Sequence, residues 1–122
     1  AMGGHVLLIE DEPNIIEAVR YILSRDGWRV DIHSNGSTAV ETVLAKAPDV
    51  LILDVMLPGK SGFEILRELR AGAETKDLPI LMLSAKGQAK DREAAASFGA
   101  NRYMTKPFSN QEMLEVVREL AQ

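Results

Sequence analysis

The chain has 122 residues, 46% hydrophobic and 26% charged, the proportions of one compact globular domain rather than of two domains or a disordered segment. Eighteen Asp and Glu outweigh fourteen Lys and Arg, and the resulting formal charge of -4 opposes direct binding to a nucleic-acid backbone. The absence of cysteine excludes disulfides, thiolate metal sites and a Cys nucleophile and fits a cytoplasmic location, while no apolar run approaches the roughly 18 residues of a membrane span.

Ala1 to Gly4 reads as a cloning remnant, and the domain is expected over residues 5–121. Val6 to Ile9 is the first unbroken apolar run, and Val50 to Leu53 and Ile80 to Leu83 repeat it. Such runs suit parallel strands covered on both faces. Trp28 to His33 alternates less cleanly and reads as an outer strand, and Arg102 to Met104 as the last one. Ile15, Ala18, Val19, Ile22 and Leu23 form a helical stripe behind Pro13, which is tolerated in a first turn. Val40, Val43, Leu44 and Ala47 predict a second helix. Ser61 with Glu64 and Ser109 with Glu112 are capping-box pairs that start two more, the latter carrying Met113, Val116, Val117, Leu120 and Ala121. The helix near Ala89 to Phe98 is rich in Ala and offers the sheet little bulk beyond Phe98. It is the helix expected to pack least firmly.

Alternating strands and helices without a linker or repeat predict a single α/β domain with a parallel sheet. Ligands of such sheets bind outside the carboxyl ends of the strands. Here those ends are polar: Glu10-Asp11-Glu12, Asp54, Ser84 and Thr105-Lys106-Pro107. Each alone is ordinarily a cap, a turn or a solvated charge, and Tyr103 alone is ordinarily packing. Their joint occurrence after such apolar strands points to one crevice. Carboxylates gathered there resist joint ionisation unless a cation intervenes, and an oxygen-only donor set suits Mg2+ with positions left for phosphoryl oxygens. Asp54 is then a carboxylate nucleophile able to form an acyl phosphate, with Lys106 offsetting charge and Ser84 donating a hydrogen bond.

These residues resemble the receiver domain of two-component response regulators, the family that includes the chemotaxis regulators. The likeness covers about His5 to Leu120 and is carried by Leu8 to Pro13, Pro48 to Gly62, Leu78 to Lys86 and Tyr103 to Phe108. It implies a (βα)5 flavodoxin-like fold with strand order 2-1-3-4-5. It further implies Asp54 as phosphoacceptor, a Mg2+ site of Glu10, Asp11, Asp54 and the Met56 carbonyl, and Ser84 and Tyr103 as switch residues. Lys106 becomes the phosphoryl-binding lysine, and its bond to Pro107 is expected to be cis. Met56 and Lys86 border the path of hydrolytic water, so both are expected to tune the phosphoryl lifetime, apolar Met56 by shielding. The implied partners are a histidine kinase or histidine phosphotransfer protein and a downstream output domain or target, and the domain catalyses only its own phosphorylation and dephosphorylation.

Two alternatives accompany this reading: a phosphorylation-independent interaction module, and the excised N-terminal domain of a DNA-binding transcription factor. In that branch Gly-Ala-Asp-Asp-Tyr usually precedes the last strand and supports a dimer through the fourth helix, fifth strand and fifth helix. Gly99-Ala100-Asn101-Arg102-Tyr103 departs from it and weakens the expectation of a homodimer there. A haloacid dehalogenase phosphatase would need an Asp two residues after Asp54, where Met56 stands. A flavodoxin would need a Ser/Thr-rich phosphate loop in place of the acidic one, and no Walker A loop is present.

Overall fold

A computed structural model describes residues 4–122. Its elements are β1 (His5–Ile9), α1 (Pro13–Arg25), β2 (Arg29–His33), α2 (Ala39–Lys46), β3 (Val50–Asp54), α3 (Gly62–Ala71), β4 (Ile80–Ser84), α4 (Ala89–Ser97), β5 (Arg102–Thr105) and α5 (Asn110–Leu120). The strands form one parallel sheet in the order β2-β1-β3-β4-β5. No helix among the described residues is long and apolar enough to cross a membrane.

β1, β3 and β4 are buried along their whole lengths because alternate side chains feed two separate cores. Val6, Leu8, Val50, Ile52, Leu81 and Leu83 meet Val19, Ile22 and Leu23 of α1 and Met113, Val116 and Val117 of α5. On the other face Leu7, Ile9, Leu51, Leu53, Ile80 and Met82 meet Ala39 and Val43 of α2, Ile65, Leu66 and Leu69 of α3, and Ala95 of α4. α4 buries that one residue only, as its Ala-rich composition predicts.

Several local expectations shift. Trp28 precedes β2 instead of opening it, because its amide donates to Leu23 O at 3.0 Å and finishes the end of α1. Gly4, one residue before the expected domain start, contacts the fold: its carbonyl accepts the Arg29 amide at 2.9 Å and it packs on the Trp28 ring. Ala1 to Gly3 lie outside the described residues. α2 ends at Lys46, with Ala47 in the left-handed region at φ 46°, so Leu44 and Ala47 face solvent rather than the core. Phe98 follows α4 and meets Phe63 edge-on, with ring centres 5.8 Å apart.

Both serine caps form. The Glu64 and Glu112 amides donate to Ser61 Oγ and Ser109 Oγ at 3.3 and 3.0 Å. The reciprocal half of the box differs at Ser61, whose hydroxyl donates to the Glu64 carboxylate instead of the carboxylate taking the Ser61 amide. The departure at Asn101 also finds a structural role. Its Oδ1 accepts the Ile80 amide at 2.8 Å and Arg70 Nη2 at 3.0 Å, joining the entrances of β4 and β5 to α3. Arg102 pairs with Glu119 of α5 at 2.7 Å within the chain.

Candidate functional site at the strand ends

Register brings the site together. Ile9 stands beside Leu53, Asp54 beside Leu83, and Ser84 beside Thr105, so Asp54 and Ser84, the last residues of β3 and β4, and Glu10 and Lys106, the first after β1 and β5, arrive at one rim. The backbone behind it is held by the Glu10 amide to His33 O at 3.0 Å and the Lys106 amide to Ser84 O at 2.8 Å. The Lys106-Pro107 bond is cis. After β3 the chain turns sharply, and Gly62 sits so close that a Cβ there would lie 2.2 Å from the Asp54 carbonyl oxygen. Only glycine fits at this approach.

Glu10 is fully buried, and its Oε2 accepts the amides of Asp11 and Glu12 at 3.0 and 3.1 Å. Asp54 is buried at the next strand end. Between them stands Lys106, whose Nζ lies 2.9 Å from Glu10 Oε1, 3.2 Å from Asp54 Oδ1 and 2.6 Å from Glu12 Oε1. Burial, reinforced by the Glu10 charge and only partly opposed by Lys106, raises the Asp54 pKa to about 7. Burial works against the Lys106 ammonium, but the hydrogen bond to Glu12 and the charges of Glu10 and Asp54 outweigh it and hold its pKa above the ordinary lysine value.

Of the buried site oxygens, Asp54 Oδ2 has no hydrogen-bond partner within the structure, and Glu10 Oε1 faces only the Lys106 ammonium. Such atoms are costly to bury and ask for a cation or a donor. The carboxylates whose oxygens all lie within 4.8 Å of one another are Glu10, Glu12 and Asp54. Sequence reasoning paired Glu10 with Asp11, yet Asp11 is exposed and outside this group, whereas Glu12 is inside it. The signal for Glu12 was the run of three acidic residues, from which the turn into α1 selects.

Ser84 is buried, and its Oγ accepts the Lys86 amide at 3.0 Å. Lys86 is exposed, and its carbonyl accepts the Tyr103 hydroxyl at 2.5 Å. Ser84 and Tyr103 are therefore linked through the backbone of the β4–α4 loop. Arg92 of α4 stacks over the Tyr103 ring at 5.1 Å, a contact with no signal in the linear pattern. Met56, two residues after Asp54, is exposed, with 67% of its surface accessible.

A doubly wound parallel sheet whose carboxyl rim carries a buried acid pair, a lysine and a strand-end hydroxyl defines an α/β domain with a polar site at its strand ends. Comparison with known proteins makes this specific: residues 6–118 match the family model "Response regulator receiver domain", and the chain belongs to that family of two-component systems. The chain is 40% identical over 115 residues to the phosphate regulon transcriptional regulatory protein PhoB of Rhizobium meliloti, covering 94% of this chain and 51% of that protein. It spans about half the length of the curated relatives it matches. Among solved structures, a protein of Chloroflexus aurantiacus J-10-fl described as a response regulator superposes with a TM-score of 0.92 at 34% identity, covering 97% of each chain. The receiver domain of sensor histidine kinase PA1611 from Pseudomonas aeruginosa PAO1, with magnesium coordinated in its active-site cleft, gives 0.89 at 30% identity, covering 98% of each chain.

Proposed function

We propose that this domain is a phosphorylation-controlled switch that takes a phosphoryl group onto Asp54 from the phosphohistidine of a sensor kinase or a histidine phosphotransfer protein. The observation that carries this is Asp54 itself, buried at a strand end beside Glu10 and 3.2 Å from Lys106. A carboxylate oxygen of Asp54 bonds to phosphorus as the bond to the donor imidazole nitrogen breaks, and that nitrogen keeps the electron pair and takes a proton. Lys106 is placed to bind a phosphoryl oxygen, and the Ser84 hydroxyl to donate to another once it turns from the Lys86 amide.

Glu10, Asp11, Asp54 and the Met56 carbonyl are the residues that would hold Mg2+. The fit rests on the all-oxygen donor set and on the unpartnered buried Oδ2 of Asp54 beside Glu10. When bound, Mg2+ supplies positive charge that lets the carboxylates ionise together and offsets charge on the transferred group.

The response passes along Ser84, the Lys86 backbone and Tyr103 to α4, which has the least buried anchorage of the helices on that face. Phosphorylation shifts a pre-existing equilibrium, with Tyr103 turning inward and the α4–β5–α5 face changing. That face meets the output domain or target. The relatives that are named as transcriptional regulatory proteins, of about twice this length, favour an attached effector as the output, with this acidic domain making no nucleic-acid contact itself. A homodimer through the same face would have to accommodate the Arg102–Glu119 pair.

Incubation with acetyl phosphate and Mg2+ tests the reading: mass spectrometry shows a single phosphate adduct, lost in Asp54→Asn and on metal chelation. Amide exchange then changes in residues 84–120. An adduct that survives Asp54→Asn, or exchange changes confined to residues 13–47, overturns it.

A further inference from the structure

Lys106 faces three carboxylates, but they are not equivalent. Glu12 makes the shortest contact with the ammonium, a hydrogen bond at 2.6 Å, against 2.9 and 3.2 Å for Glu10 and Asp54. Glu10 is also tied down by two backbone amides. Glu12 is different. Its backbone is fixed as the residue before α1, its carbonyl accepting the amides of Ile15 and Ile16 at 3.1 and 3.0 Å. Its side chain makes no capping bond and is 57% exposed, against 0% for Glu10 and 2% for Asp54. It is the one carboxylate of the group able to swing into water without leaving a buried charge behind.

We propose that Glu12 is a positioning residue that occupies Lys106 in the unphosphorylated domain and is displaced by the phosphoryl group arriving on Asp54. The proposal rests on Asp54 being the acceptor. An ammonium has three donors, and a phosphoryl group brings three strong acceptor oxygens to the same place. The exposed contact is the weakest of the three to break, because its carboxylate regains full hydration. Glu12 thus delays loading, since an incoming donor must both release Lys106 and approach past a negative charge at the mouth of the site.

Two variants separate these effects. Glu12→Gln removes the charge, whereas Glu12→Asp keeps it on a side chain one methylene shorter, which loosens the contact with Lys106. In the metal-free, unphosphorylated protein labelled with 15N-lysine, the hydrogen-bonded Lys106 ammonium of wild type exchanges slowly with water. Both variants speed that exchange. Acetyl phosphate at saturating Mg2+ loads Glu12→Gln about two- to fivefold faster than wild type, the factor set by an exposed ion pair. Glu12→Asp loads at an intermediate rate.

Unchanged Lys106 exchange in both variants overturns the proposal, as does loading of Glu12→Gln no faster than wild type. A large loss of Mg2+ affinity in Glu12→Gln, measured by titration calorimetry, would make Glu12 a metal ligand and also overturn it. Failure of wild type to take up phosphate while the exchange difference persists would instead refute Asp54 as acceptor and leave the Glu12–Lys106 contact standing.

Discussion

The interior of β3 and its carboxyl end are shielded from water to nearly the same degree, with opposite energetic consequences. Leu53 is wholly buried in hydrocarbon against Ile9 and Met82 of the neighbouring strands, which stabilises the fold. Asp54, the next residue, is buried as an acid beside Glu10 with one oxygen unpartnered, which costs stability whenever it ionises. The apolar strands tolerate a destabilising rim because their two cores are extensive. A cation brought between the carboxylates would relieve the cost at the rim.

The most severe way to probe this contrast is Leu53→Ala, expected to lose about 2–5 kcal/mol in urea unfolding through cavity formation. Asp54→Asn should move the other way, gaining roughly 1–3 kcal/mol at pH 8 without metal. The sign follows from proton binding. Native Asp54 holds its proton up to about pH 7, while the ordinary carboxyl value is 3.8, so between these values the folded state binds the extra proton and stability falls as pH rises. The gain from Asp54→Asn should therefore grow across that window and shrink away below it. A difference that stays flat from pH 4 to 8 would break the comparison.

Mg2+ sharpens it. At tenfold its dissociation constant, the ion should stabilise wild type by about 1.4 kcal/mol at pH 8, and the increment should largely vanish in Asp54→Asn. Thermal unfolding with and without the ion reads it.

The helices flanking β5 extend the contrast to the α4–β5–α5 face. α5 is capped by Ser109 and buries Met113, Val116 and Val117, whereas α4 follows Gln88 without a side-chain cap and buries only Ala95. Ser109→Ala should cost about 1 kcal/mol in the same unfolding assay, and Gln88→Ala less than about 0.5 kcal/mol. Equal effects would mean that α4 is as firmly held as α5. The smallest effect is kinetic: Met56→Asn, which replaces an exposed thioether by a group able to orient water, should speed first-order dephosphorylation about two- to fivefold, under roughly 1 kcal/mol of barrier. An unchanged decay rate would remove Met56 from the lifetime.

Much of this was open to reading in one dimension. Unbroken apolar runs such as Val50 to Leu53 announce strands covered on both faces, because only a doubly covered strand has no solvent side to fill with polar residues. Ser61 and Ser109 announce helix starts, because orphan amides accept few solutions. Asp54, Glu10, Ser84 and Lys106 announce the site, since strand ends of an open parallel sheet converge whatever the loops do.

What the linear pattern could not decide depends on distances between elements. Which of Asp11 and Glu12 meets Lys106 is set by the turn into α1, where one residue of phase points the first carboxylate to solvent and the second to the ammonium. Leu44 keeps helical spacing yet stays exposed, because α2 ends at Lys46 and no element covers that flank. Asn101 and Arg102 looked like losses from a family motif, yet they bond to Ile80, Arg70 and Glu119, residues far away in sequence. Local chemistry dictates what each segment can form, and only packing, which brings together residues such as Glu12 and Lys106, assigns each side chain its partner.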